Sequence, residues 1–533
     1  MPDRRSCSRR ARDEDRVVTV TKRLAGALRL PSAYPHHPGE VGFRQTQMSL
    51  LFFADNFVYK VKKPVNLGYV DYTTLEARLH YCEQEVRLNR RLCPGAYLGV
   101  VPIVKRGESF VVEGDGPAVE YAVKMRLLPQ ERTLDRLVAD GLATTQTMRA
   151  IAARVAAFHA TAATSDEIDT YGALASIQRN TDENFEQTEP FMDRTIRRAD
   201  HELLRTYTDR FLEEHATEFV ARVADRRIRD CHGDLHAAHV CVSDDICIFD
   251  CIEFNDRFRY GDVASEVAFL AMDLDRLARH DLSDEFCLSY ARASGDAEIS
   301  DILPFYKCYR AVVRGKVEGF KLEDSMVPAE ERASALRLAR CYFELARRCA
   351  TGRGLLVIMS GVTGTGKSTV ASALAPLLAG RVISSDVVRK ELAGISPVEH
   401  RYVPYGSGIY SPERTRQTYQ EMLRRAEPVL QGGGCAILDA AFLRGEERIR
   451  ARDVALRHGS RAVVVECVAP DEVTLRRLAE RQAGASVSDG RAEILERQLP
   501  DSEAVAEFAD RDHLRADASR PLDDIREEIW RRL

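Results

Sequence analysis

Residues 361 to 369 read GVTGTGKST, and no other stretch restricts the fold of this chain so tightly. Gly361, Gly366, Lys367 and Ser368 fit G-x-x-x-x-G-K-[ST], where glycines let the backbone wrap an anion closely. Val362, Thr363, Gly364 and Thr365 fill the loop, and Thr369 carries it into the next segment. Lys367 is placed to reach the terminal phosphates of ATP and Ser368 to hold Mg2+, while helix onset at Lys367 puts a positive dipole end beneath them. The apolar run LLVIMS precedes the loop and KSTVASALAPLLA follows it, so strand, loop and helix come in the order the motif needs. The expected fold here is a doubly wound parallel sheet, with ligands at the carboxyl ends of its strands.

Two further strand ends carry acids. RVISSDVVRKEL gives Asp386 with Arg389 one helical turn later, and CAILDAAFLR gives a second apolar strand ending in Asp439. Asp439 is placed to support Mg2+, Asp386 to bind or deprotonate an acceptor hydroxyl, and Arg389 to pair with an anionic substrate. The plainer reading of Asp386 and Arg389 is a helix N-terminal acid followed by a surface arginine. This half resembles the small P-loop kinases of the zeta-toxin and chloramphenicol-phosphotransferase type. The likeness runs through SSDVVRKEL, YSPERTRQTYQEM, ILDAAF and RLAERQAGASVSDGRAEILERQ. It implies that Arg477 and Arg481 stand on a lid helix, with Arg481 touching the transferring phosphate. A solvated basic face is the alternative for both. No run of four apolar residues followed by Asp-Glu is present, which suits a small-molecule kinase better than a mechanical ATPase.

The first half changes character along its length. LLFFADNFVYKVKK, GVVPIVKRGESFVVEG and VEYAVKMRLL read as strands, with the helical TLEARLHYCEQEVRLNRRL among them. From residue 145 helices dominate, as in MRAIAARVAAFHATAA, whose Met148, Ile151, Val155 and Phe158 share a face. The expected organisation is a charged, disordered tail over 1–21, a two-lobed α+β domain over 22–350 with its small lobe ending near 128, and the P-loop domain over 351–533. The loop CHGDLHAAHVCVSDDICIFD places Asp234 ahead of a strand–turn–strand that ends in Asp250. One acid near an acceptor hydroxyl and a second at a strand end are what phosphoryl transfer uses to orient a nucleophile and hold Mg2+.

Over roughly residues 40 to 345 the chain resembles aminoglycoside phosphotransferases and related kinase-like folds. By that resemblance Asp234 is the catalytic base, Asp250 the Mg2+-binding acid, and His239 occupies a position where the family has Asn. Lys60 in FVYKVKK answers to the lysine that holds the α- and β-phosphates, with Lys62 on the same strand face as the alternative. Glu85 is its ion-pair partner. An exposed strand lysine and a helix glutamate are the plainer reading of the pair. His159 is read as a helix-packing residue. An imidazole nitrogen matches a hard cation poorly. His239 therefore leaves one metal site weak, admits Mn2+, or contacts phosphate as a cation; Glu253 and Asp256 are candidates for the missing oxygen ligands.

A net charge of −5 without a large basic block argues against a nucleic-acid binder, and no apolar run is long enough to cross a bilayer. Thirteen cysteines lie scattered, and Cys231, Cys241, Cys247 and Cys251 lack a CxxC pair, so they read as buried small hydrophobes rather than zinc ligands. Unpaired thiols without an export signal point to the reducing cytosol. The expected activity is ATP-dependent phosphate transfer to small-molecule hydroxyls at two sites. Two other readings stay open: a P-loop kinase regulated by a nucleotide-binding pseudokinase half, and a toxin-like kinase of nucleotide sugars. The oligomeric state is not legible.

Overall fold

LLFFADNFVYKVKK folds as its alternation asks: Ser49–Ala54 pairs antiparallel with Phe57–Lys62 around a turn in which Asp55 takes a φ of 51°. In the computed structural model, which describes residues 22–324, 327–396, 406–482 and 492–533, this hairpin is the middle of a six-stranded antiparallel sheet. The strand order is Val41–Gln45, Ser49–Ala54, Phe57–Lys62, Ala118–Arg126, Tyr97–Arg106, Ser109–Val112. One face buries Phe52, Tyr59, Val61, Ile103 and Ala122. Val123 and Tyr97 instead join Cys82, Val86, Cys241 and Cys247. The helix Leu75–Asn89 crosses between strands, capped by the Thr74 hydroxyl accepting from the Ala77 amide at 3.1 Å. Its buried residues include Arg78, Glu85 and Asn89, which is unusual for a core face and marks it as more than packing.

Two compact units make up the chain. The first takes in the described residues up to Ser176, with Thr217–Leu270 and Glu285–Ala297; the second comprises Ile177–Ala216, Ala271–Asp284 and Glu298–Leu533. In the first, Cys93 and Cys247 form a disulfide with Cα atoms 4.6 Å apart, 154 residues distant in sequence. This corrects the reading of all these cysteines as unpaired. Cys231, Cys241 and Cys251 are indeed buried free thiols. Cys247 is not, because folding brings it against Cys93 in one apolar cluster.

The second unit holds the expected parallel sheet, in the order Gly380–Ser384, Cys435–Asp439, Leu355–Ser360, Arg461–Val468, His513–Asp517. Every residue of LLVIMS is buried, as befits a central parallel strand covered on both faces. Lys367–Leu378 and Leu522–Arg532 contribute to the core on one face; Pro412–Gln431 and Gly445–Arg457 contribute to the other. Each buried Val, Leu or Ile there contributes roughly 1.5–3 kcal/mol. The long helix Ala329–Thr351 packs within this unit. Its Arg348 guanidinium donates to the Leu378 carbonyl at 2.9 Å, and Arg340 lies 3.7 Å over the Trp530 ring. Gly352 at φ 62° ends that helix, three residues before the Leu355–Ser360 strand. No helix among the described residues is long and apolar enough to cross a membrane.

Candidate active sites

In the first unit, His232-Gly233-Asp234 follows the short strand Ile228–Asp230. Gly233 has φ +87°, and a Cβ there would lie 2.8 Å from the Phe258 carbonyl oxygen, so the turn needs glycine. Glu266 holds this loop from behind. Its buried carboxylate accepts the amides of His232 at 2.8 Å and Gly233 at 2.7 Å, and lies 2.8 Å from His159 Nε2. His159 Nδ1 in turn meets the Tyr290 hydroxyl at 2.8 Å, so His159 packs and positions. Burial alone would raise the Glu266 carboxyl, but the His159 hydrogen bond and charge and the Gly233 amide bring it down to about 2. A carboxyl with a lowered folded-state pKa contributes stability that is complete above its unfolded value near 4.3 and lost as pH falls toward 2. The contribution is about 3 kcal/mol. Urea unfolding at pH 7 and pH 3 should therefore show a gap between native protein and Glu266→Gln that roughly halves from neutral pH to pH 3; equal gaps would exclude this linkage.

The hairpin Val240–Val242 and Ile246–Ile248 delivers Asp250, whose φ is +62° and whose amide donates to the Tyr97 hydroxyl at 3.0 Å. Lys60 Nζ lies 2.8 Å from Asp250 Oδ1, a hydrogen bond, and 2.8 Å from Glu85 Oε1, an ion-pair contact. Lys62, fully buried, is bound by Glu85 Oε2 at 2.7 Å and by Glu253. The two lysines thus divide: Lys60 faces Asp250, and Lys62 anchors the Glu85 helix. Glu253 Oε1 is taken up by Lys62 and by the Tyr72 hydroxyl at 2.9 Å, and Asp256 Oδ1 by Arg259. Burial alone would depress the Lys60 ammonium, but Asp250, Glu85 and Glu253 outweigh it and hold it well above its ordinary value. For Asp250 burial acts upward, and Lys60 and His239 override it, leaving the carboxyl well below the usual range.

His239 stands between the two acids. Its Nδ1 is 3.5 Å from Asp234 Oδ2 and its Nε2 is 3.6 Å from Asp250 Oδ2. Burial and the neighbouring His236 lower the imidazole to about 4 against the pull of Asp234 and Asp250, so it is neutral at pH 7. One imidazole nitrogen beside one carboxylate does not match the all-oxygen shell that Mg2+ prefers.

In the second unit the loop turns through Gly361, Gly364 and Gly366, at φ +133°, +83° and +93°. A Cβ on Gly361 would fall 2.5 Å from the Cys467 carbonyl oxygen, and one on Gly364 2.8 Å from Thr474 Cγ2. Thr365 Oγ1 and Lys367 Nζ each donate to the Val362 carbonyl at 2.8 Å, and the Thr363 amide donates to Gln498 at 2.7 Å. Ser368 and Thr369 are exposed at the helix start, while Asp439 is buried at its strand end. The Cys467 thiol is pushed up to about 12 by burial and feels both the Lys367 ammonium and the Asp439 carboxylate. A hydroxyl and a carboxylate form an all-oxygen donor set, which does suit Mg2+.

Arg477 lies against the same loop. Its Nη1 is 3.2 Å from where a Gly366 Cβ would be and finds no hydrogen-bond partner among the described residues, while Nη2 donates to the Ala518 carbonyl at 2.7 Å. Arg481 belongs to the same helix, Asp471–Gln482, but its side chain lies outside the described residues. Asp386 sits in the first turn of Ser385–Leu392. The buried Arg389 guanidinium lies 4.6 Å from the Tyr410 ring centroid. The Tyr419 hydroxyl feels both Arg389 and Asp386. Sequence reasoning passed over Glu266, Tyr97 and Tyr419, which bear no motif.

The model of the phosphotransferase enzyme family matches residues 101–304, and that of an AAA domain matches residues 356–505. An uncharacterized protein of Mycobacterium tuberculosis strain H37Rv, Rv2004c, is 34% identical over 460 residues, spanning 85% of this chain and 88% of that protein. Among solved structures, a choline/ethanolamine kinase family protein from Mesorhizobium loti is 10% identical, with a TM-score of 0.37 over 62% of this chain and 98% of its own. An APS kinase from Mycobacterium tuberculosis is 22% identical, with a TM-score of 0.26 over 34% of this chain and 97% of its own.

Proposed function

The chain belongs to the same family as the mycobacterial protein and joins a phosphotransferase-family domain to a P-loop kinase domain; from this premise we propose that it is a kinase with two ATP sites, each serving a small-molecule acceptor hydroxyl. The observation that carries the first site is the meeting of Lys60 with Glu85 and Asp250 at 2.8 Å, with His239 standing between Asp250 and Asp234 at 3.6 and 3.5 Å. In this reading Lys60 holds the α- and β-phosphates. Asp234 orients the acceptor hydroxyl and takes its proton as the new O–P bond forms and the bond to the β-phosphate breaks, releasing ADP. Positioning and charge supply nearly all of the acceleration in such a transfer.

At the second site the loop amides and Lys367 cradle the phosphates, and Ser368 and Asp439 would hold Mg2+, which when bound offsets charge on the terminal phosphates. Asp386 positions the acceptor alcohol and accepts its proton. Arg477 and Arg481 stabilise charge as it moves to the leaving oxygen. Arg389, whose Nε finds no hydrogen-bond partner among the described residues, suits an acceptor that bears an anionic group. A cytoplasmic setting goes with this use of ATP.

A second reading draws on His239: with an imidazole where the resemblance implies Asn, the first unit would bind nucleotide and regulate the P-loop kinase without transferring phosphate. One experiment separates them. The intact chain, Asp234→Asn and Lys367→Ala are each incubated with γ-labelled ATP and a metabolite extract. Different products lost in each variant support two transferring sites. If Lys367→Ala alone loses products, the first unit is regulatory; if neither variant loses any, both assignments fail.

A further inference from the structure

We propose that the cation at Asp250 in the first unit is a nitrogen-accepting divalent ion of the Mn2+, Co2+ or Zn2+ class, bound between His239 Nε2 and Asp250 Oδ2 in preference to Mg2+. The argument starts from the other ring nitrogen. His239 Nδ1 lies 3.0 Å from the backbone carbonyl oxygen of Asp234. A carbonyl only accepts, so Nδ1 carries a proton and Nε2 is the ring nitrogen open to a cation. That nitrogen faces Asp250 Oδ2 at 3.6 Å. The separation is too long for a hydrogen bond. Ligands of one tetrahedral ion with bonds of about 2.1 Å stand roughly 3.4 Å apart, close to the separation found.

The ring is also held in place as metal-bound imidazoles are. Its remote nitrogen is tied to a carbonyl, and the His236 ring packs on it with centroids 3.9 Å apart. Asp250 has one oxygen to spare, since Oδ1 is engaged by Lys60 at 2.8 Å. Asp234, His236 and His239 also lie within reach of one ion, with ligand atoms no more than 4.8 Å apart. His236 Nε2 and His239 Nδ1 are both near Asp234 Oδ2, at 3.6 Å and 3.5 Å. Nδ1 is taken by the Asp234 carbonyl, so an ion on this ring binds Nε2. The ion therefore belongs on the Nε2 side. Imidazole raises affinity for Mn2+, Co2+ and Zn2+ and adds little for Mg2+, whose small hard ion keeps oxygen ligands.

This inference rests on reading Asp250 as a cation ligand, and its test does not depend on turnover. The full chain, freed of metal, is titrated with Mn2+ and studied by electron paramagnetic resonance with pulsed detection of ligand nitrogen. Native protein should show Mn2+ coupled to an imidazole nitrogen. In both His239→Asn and His239→Gln that coupling should vanish, and the Mg2+ needed to displace half the Mn2+ should fall by about tenfold or more. Using both variants keeps the comparison intact should one fold poorly. Bound Mn2+ without nitrogen coupling in native protein would overturn the proposal, as would equal displacement by Mg2+ from native and variant proteins. Nitrogen coupling that persists while Asp234→Asn loses no phosphorylated product would retire the kinase reading of this unit and leave the cation assignment standing.

Discussion

Lys367→Ala should lower phosphate transfer by the P-loop unit by about 10²–10³-fold or more, the scale seen when one aligned charge is removed from a developing oxyanion. Lys367 opens the helix Lys367–Leu378, and its ammonium is held over the loop by the Val362 carbonyl at 2.8 Å. Alanine is well tolerated in a helix and removes no core packing, so unfolding free energy should move by no more than about 0.5 kcal/mol. The clean measurement is ADP release in an Asp234→Asn background, expected to silence any transfer by the first unit. A rate within a few-fold of the parent would take Lys367 out of the reaction.

Glu85→Ala should have the largest effect on stability, about 3–5 kcal/mol, because it removes one carboxylate from two buried cations. Lys62 is held by Glu85 Oε2 at 2.7 Å, and Lys60 lies 2.8 Å from Oε1. Glu253 remains to Lys62 and Asp250 to Lys60, so the lower end of that range is expected. Burial would raise the Glu85 carboxyl, yet Lys60 and Lys62 hold it below its ordinary value. Its contribution is thus full above the unfolded pKa near 4.3 and fades in acid. Urea unfolding at pH 7, with Glu85→Gln alongside, measures this. A loss under about 1 kcal/mol would mean that the lysines find other partners.

Sequence reading went furthest where local pattern determines structure. LLVIMS followed by GVTGTGKST could only be a buried strand entering a glycine turn, and it is. The strands of the first sheet and the hairpin before Asp250 were legible from alternation and turn residues. What sequence left open was decided by tertiary partners. Lys60 and Lys62 are two residues apart on one face, and only the positions of Asp250 and Glu253, some 190 residues on, tell them apart. The Cys93–Cys247 bridge was missed for the same reason, since it spans 154 residues. Glu266 carries no motif at all; its meaning comes from the two loop amides it accepts.

The backbone at position 250 prefers a different residue from the one present. With φ at +62°, an L side chain there is uncomfortable, and glycine would relax into that conformation freely. Selection for ease of folding alone would have emptied the position of its carboxylate. That an acid stands there, aimed at Lys60 and His239, marks a place where the chain gives up comfort for chemistry.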